Sequence, residues 1–206
     1  MLPIPQSPML NLCDQTTFGK KKLNKLSIAL RLSTVNIVTE YLQFSDINDY
    51  IAIGSEFFPD ADWGNAIGRF EKMFQRWNKG IIIFRVSNRI LGYATLWPLT
   101  KESFALLEKG KLQDHHINAD CINEPPIIMH KYWILTAIAV APSDKLQRRT
   151  VIIALLEAIK QELYNHSPCE VLAHASTSHG LRFLLRTGFR QIDASLNVYK
   201  WSYSNG

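Results

Sequence analysis

The residues best equipped for chemistry cluster around position 148. Gln147, Arg148, Arg149 and Thr150 stand together in APSDKLQRRTVIIALLEAIKQEL, between an apolar run and an amphipathic stretch. A helix starting there would point its unpaired main-chain N–H groups and the positive end of its dipole outward. With two guanidinium groups beside them, such a start suits an anion, and phosphate above all. A second group is Asp114, His115, His116 and Asp120. Its spacing matches no strong metal template, and adjacent histidines on a polar loop are ordinarily solvated, so no metal is expected. Lys20, Lys21, Lys22 and Lys25 form a short basic cluster. It reads either as a nucleic-acid, membrane or targeting contact or as a solvated tail.

Composition narrows the class. The 206 residues are 47% hydrophobic and 20% charged, with a net charge of +5, which suits one globular domain with or without a tail. The basic balance permits an anionic ligand but selects none. Cys13, Cys121 and Cys169 are odd in number and lack CxxC spacing, so neither a disulfide framework nor a zinc site is expected, and a cytoplasmic setting is the default. The opening MLPIPQSPMLNLCDQ does not have the pattern of a secretory signal. The apolar run Tyr132 to Ala141 is too short to cross a bilayer, so no membrane partner is expected.

These groups need elements to position them. Residues 1–33 read as an N-terminal extension, partly helical or flexible, before a single domain over 34–206. Val35 to Phe44 reads as a strand, followed by a helix capped at Ser45 and ending before Pro59. A second helix is expected over Trp63 to Trp77 with Ile67, Phe70, Phe74 and Trp77 inward. A hairpin follows, 81–86 and 90–97, turning at Ser87 and Asn88. Next come a short helix from Lys101 with Phe104, Leu106 and Leu107 inward, and a polar insertion, so that 98–126 lies over the surface or a site. The central strand, 127–141, is apolar on both faces, as a strand covered on both sides must be. A helix from Thr150 to Tyr164, a strand 170–175, a helix over 181–186 closed by Gly188, and a final hairpin complete the chain. The order β-α-α-β-β-α-β-α-β-α-β-β implies a mixed α/β (α+β) domain with one central mixed sheet flanked by helices.

That order, with two local signatures, resembles the GNAT superfamily of acyl-CoA-dependent N-acetyltransferases. IAVAPSDKLQRRTVIIALL is similar to the family's pyrophosphate motif, with Gln147 at its Gln/Arg position, Thr150 at the first Gly and Ile152 at the Gly/Ala. STSHGLRFLLRTGF is similar to a later family stretch, with Thr177 at its Asn, Gly180 at its Ala, Phe183 at its Leu, Leu184 at its Tyr, and Gly188 and Phe189 matching. YLQFSDINDYIAIGSEFFP and the hairpin ending ILGYATLWPL look like the family's first β-α unit and β2–β3 hairpin. The resemblance covers about 35–203.

It implies that the strand ending at Val140 splays from the strand Val171 to Ala175. Pantetheine of acetyl-CoA or another acyl-CoA would lie in that gap against the backbone of Ile138, Ala139 and Val140. Its pyrophosphate would rest on Gln147, Arg148, Arg149, Thr150, Val151 and Ile152, and Thr177 and Phe183 would complete the cofactor site. A small-molecule or protein amine would approach from the side of the 98–126 insertion, near Trp97, Tyr132 and Trp133. Both motif glycines are replaced, and Ile152 puts a β-branched side chain where a ligand should pass. Leu184 stands where many relatives have a proton-donating Tyr. The catalytic candidates left are His174, as a base for an ammonium group, and Thr136, on the strand where a carboxylate often stands; Ser176 lies nearby. The leading reading is therefore an N-acyltransferase that moves acetyl to a primary amine by direct attack. The alternative is a GNAT-like fold that has lost turnover and acts as a binding or regulatory protein. A nucleic-acid module is disfavoured because no recognised fold for it is present.

Overall fold

The computed structural model describes residues 37–59, 63–123, 129–141, 145–193 and 195–203. The architecture is that of the compact unit Asn36–Gly206; the expected N-terminal extension lies outside the described residues.

Its strands are β1 (Ile37–Tyr41), β2 (Ile81–Val86), β3 (Arg89–Pro98), β4 (Tyr132–Val140), β5 (Cys169–His174), β6 (Arg190–Asp193) and β7 (Val198–Tyr203). They form one seven-stranded sheet in the order β1-β2-β3-β4-β5-β7-β6. Neighbours are antiparallel except β4 and β5, which are parallel. The helices are α1 (Ile47–Phe57), α2 (Ala66–Arg76), α3 (Lys101–Glu108), α4 (Lys145–Tyr164) and α5 (Ser178–Arg186). The element order is the one expected from the sequence, and the mixed sheet is flanked by helices on both faces.

Each face has its own core. Under α1, α2 and α3 lie Tyr50, Phe70, Met73, Phe104 and Leu107 against Ile83, Tyr93, Trp97 and Ile134. Under α4 and α5 lie Val151, Leu155, Ile159, Leu163 and Leu184 against Leu96, Trp133, Leu135 and Val171. This double covering is why β4 is apolar on both sides. Trp133 faces the α4 side, away from the insertion, with its indole N–H donating to the His130 carbonyl at 2.8 Å. It therefore stands on the opposite face from the expected amine approach.

Several local expectations shift. α1 begins at Ile47 after a 3-10 turn over Phe44–Asp46, so Ser45 is not its cap. The Asp46 carboxylate is held instead by Arg85 at 2.6 Å. Ile67 and Leu106 are exposed. The buried stripe of α2 is Ala66, Phe70 and Met73, rotated toward a small residue that permits close approach, and α3 buries Ser103, Phe104 and Leu107. Caps follow the residue types: the Thr100 hydroxyl accepts the Ser103 N–H at 3.1 Å, and the Thr177 hydroxyl accepts the Gly180 N–H at 3.0 Å. After α5, Gly188 has φ +96°. The Phe189 N–H donates to the Leu184 carbonyl and the Gly188 N–H to Leu185, closing the helix in a Schellman motif.

A buried polar cluster lies at the C-terminal end of α4. His166 Nδ1 accepts the His130 main-chain N–H at 3.1 Å, while its Nε2 lies 3.5 Å from Glu162. The Tyr41 hydroxyl donates to the other Glu162 oxygen. Burial, with His166 alongside, pushes the His130 imidazole down to about 4.

Candidate active site

The site begins with one unpaired residue. β3 and β4 pair Thr95 with Ala137 and Leu96 with Leu135, leaving Thr136 without a partner. It is a β-bulge, which bends a strand and increases its local twist. The Thr136 and Thr95 hydroxyls are hydrogen-bonded at 2.5 Å across the bulge. The extra residue also reverses the side-chain alternation. Ile134 and Ala139 belong to the α1–α3 core, whereas Leu135 and Val140 belong to the α4–α5 core.

β4 leaves β5 at the bulge. Their ladder ends at Leu135 and Ala173. β4 runs on to Val140 beside β3 alone, while β5 runs on to His174 beside β7. The strands are splayed, and the β5-facing edge of 136–140 has no strand partner among the described residues. A cleft of about 280 Å³ fills the gap. Thr136, Ala137 and Ile138 line one wall, His174, Ser176 and Thr177 the other, and Gly180, Phe183 and Leu184 of α5 close it beneath.

α4 starts five residues earlier than expected, at Lys145 rather than Thr150. Gln147, Arg148, Arg149 and Thr150 are thus the first helical turns, not a loop before them. Unpaired N–H groups belong to the first turn of a helix, so those of α4 lie at Lys145 and the residues just after it, following the end of β4. Arg148 and Arg149 are exposed there. Val151 is fully buried, packed where β3 carries Gly92: a Cβ there would come within 2.7 Å of Val151 Cγ1. Ile152, the next residue, is half-buried, packs against the α4–α5 core and lines the cleft wall.

Of the expected site residues, Thr136, Ile138, Ile152, His174, Thr177 and Phe183 therefore come together around the cleft. Ala139 and Val140 turn their side chains into the two cores, leaving main chain along the gap. Thr177 also serves as the cap of α5. Leu184 is buried in the cleft floor with no polar group to offer.

Sequence reasoning did not find Asp114 as a site residue. Its Oδ2 lies 3.7 Å from Nδ1 of His174, which is itself buried. Its Oδ1 accepts the His115 N–H at 2.8 Å. At 3.7 Å Asp114 and His174 are near neighbours without a hydrogen bond between them. Only the position of the insertion over the site hinted at this pairing, 60 residues apart in sequence. Asp114 also lines a second recess of about 180 Å³. The two cavities share Phe58, Thr136, Ala137 and Ser176.

No family model matches the sequence, and no curated protein does. Solved structures do match. The chain is similar to Ard1 from Thermoplasma volcanium at 11% identity and a TM-score of 0.55, covering 82% of this chain and 99% of that one. It is similar to the loading GNATL domain of CurA from Lyngbya majuscula at 14% identity and 0.53, covering 82% and 98%. A GNAT family acetyltransferase from Brucella melitensis, in complex with acetyl-CoA, matches at 9% identity and 0.50, covering 82% and 90%. At such identities the likeness is one of architecture, and the splayed strands agree with it: this chain has a GNAT-type fold, the fold of these acetyltransferase structures.

Proposed function

We propose that the chain is an acyl-CoA-dependent N-acyltransferase that moves an acetyl group from acetyl-CoA to a primary amine by direct attack. The observation that carries this reading is the cleft between β4 and β5, opened by the Thr136 bulge and bounded on the α4 side by Ile152. An extended pantetheine arm suits the free main-chain edge of 136–140, where Ile138, Ala139 and Val140 offer peptide groups. The pyrophosphate suits the first turn of α4, with Arg148 and Arg149 adding charge-assisted contacts. Val151 acts from beneath by seating the helix on β3.

At the apex the thioester carbonyl would lie between Thr136 and His174. His174 takes a proton from the arriving ammonium group, and Asp114 stabilises the resulting imidazolium. The freed amine attacks the carbonyl carbon, a C–N bond forms and the C–S bond breaks. His174 gives that first proton to solvent, takes the second proton that the nitrogen sheds as the amide forms, and passes it to the departing thiolate, so no separate donor is required at Leu184. Positioning and main-chain donors to the developing oxyanion supply the remainder.

Acetyl-CoA should raise the melting temperature, because a ligand that binds only the folded state stabilises it by about 2.7 kcal/mol at a hundred times its Kd. No shift at saturation overturns the reading. Leu184 and Ile152 favour a second reading, a binding protein without turnover. It requires the same thermal shift but no acetylation of any amine in a panel followed by thiol release.

A further inference from the structure

The groove between α4 and α5 carries an inference about how the acyl group reaches the cleft, which rests on the acyltransferase reading. It encloses about 370 Å³ and opens from the cofactor cleft, sharing Ile152, His179 and Phe183 with it. Ile152 and Leu156 stand one turn apart on one face of α4 and form an apolar floor with Phe183 of α5. His179, Arg182 and Arg186 form the rim, and Thr187 lies past the end of α5. Every one of these side chains is half-buried or exposed, so the groove offers surface to a partner.

The charge on this rim is of one sign. No acidic residue lines the groove, and among the described residues neither Arg182 nor Arg186 has a carboxylate partner. His179, Arg182 and Arg186 follow one another at spacings of three and four, so the cations run along α5 for about 10 Å rather than converging on one point. Arg148 stands exposed one turn before Ile152 on the same face of α4. A compact diphosphate asks for converging N–H groups in a glycine-rich turn, and Thr150 and Ile152 stand at the glycine positions here. A line of cations beside an apolar strip is instead complementary to an amphipathic helix whose apolar stripe is flanked by acidic residues.

We propose that the groove docks an acidic carrier protein that holds the acyl group as a thioester on a phosphopantetheine arm. The arm is the same group that coenzyme A presents, so it enters the cleft along the 136–140 edge. The acidic helix beside its attachment point lies in the groove on Ile152, Leu156 and Phe183. Arg182 and Arg186 pair with its carboxylates, and His179 stands where arm and helix meet. The amine nitrogen bonds to the acyl carbon as the thioester C–S bond breaks. The proton that the nitrogen sheds reaches the sulfur through His174, and the carrier leaves with a free thiol. Free acetyl-CoA uses the cleft alone.

Calorimetric titration of the full chain compares two probes, acetyl-CoA and an acidic acyl carrier protein loaded with acetyl on its phosphopantetheine. The carrier should bind at least about tenfold more tightly than acetyl-CoA, a difference of about 1.4 kcal/mol. Reversing both rim charges, Arg182→Glu with Arg186→Glu, should weaken carrier binding by about tenfold or more. The acetyl-CoA Kd should stay within about twofold, and that retained affinity reports a folded variant. The neutral pair Arg182→Gln with Arg186→Gln should give a smaller loss of the same kind and replaces the reversal if the latter unfolds the chain. Carrier binding no tighter than acetyl-CoA binding overturns the proposal. So does a loss shared by both probes, which would assign the arginines to the nucleotide of coenzyme A. Turnover is read separately as thiol release with a panel of amines. Preferred carrier binding without thiol release from either donor would sink the acyltransferase reading and leave the docking assignment standing. Thiol release from acetyl-CoA with no carrier preference would do the reverse.

Discussion

At the scale of single residues, the acyltransferase proposal turns on His174. It ends β5, lines the cleft, and has its buried Nδ1 turned to Asp114. Its residue type and place at the end of a strand made it a candidate from the sequence, but the same features suit a structural histidine. The carboxylate that lies beside it belongs to a polar insertion, and nothing local to either residue encodes their meeting. If His174 is the base, His174→Gln should lower kcat by about a hundredfold or more, the usual contribution of a positioned acid–base group. The Kd for acetyl-CoA should stay unchanged, as equilibrium titration would report. Unaltered kcat would leave His174 a purely structural role. Thr136 reads differently once placed. Its hydroxyl is engaged with Thr95, so it contributes through the shape of the strand rather than as an acid or base.

At the scale of elements, strand and helix order were legible because each segment carried its own period, caps and breaks. Thr100, Thr177 and Gly188 do what their types suggest. Two features were not legible. The bulge in β4 leaves no mark in YWILTAIAV, because a strand apolar on both faces has no alternation for an extra residue to interrupt. The start of α4 was also hidden. KLQRRT is rich in helix formers, but its polar and charged residues, standing between an apolar run and an amphipathic stretch, read as a turn. With the helix beginning at Lys145, Ile152 falls in a later turn and lies along the wall of the cleft. Shortening it should therefore matter little: Ile152→Ala should keep the acetyl-CoA Kd within about threefold, whereas Ile152→Trp, which fills the cleft, should weaken it by about tenfold or more. Isothermal titration distinguishes these, and a marked tightening in the alanine variant would mean that the isoleucine obstructs the ligand.

At the scale of the whole molecule, the two cores are unequal in polarity. The α4 side encloses His130, His166 and Glu162 at the end away from the cleft mouth. Burial is the main cause lowering both imidazoles, with Lys79 adding to it at His166 and Glu162 opposing it. For His130 the sign is clear. Above about pH 6.5 the ring is neutral in both folded and unfolded chains, and its contribution to stability is complete; between 6.5 and about 4 only the unfolded chain takes the proton. Stability should fall across that window, and His130→Phe should flatten the slope by about one proton, as urea midpoints measured against pH would show. An unchanged slope would place the acid sensitivity elsewhere.

The bulge at Thr136 bears on how a chain so distant in sequence retains this shape. A gap made by the path of the backbone does not depend on which side chains line it, so individual substitutions can erode a recognisable signature while the opening persists. Insertions and deletions are another matter. Removing one residue from the middle of β4 would restore its pairing parity, send Ala137 to Val140 to the wrong cores, and draw the two strands together. In this part of the chain, length is under tighter constraint than identity.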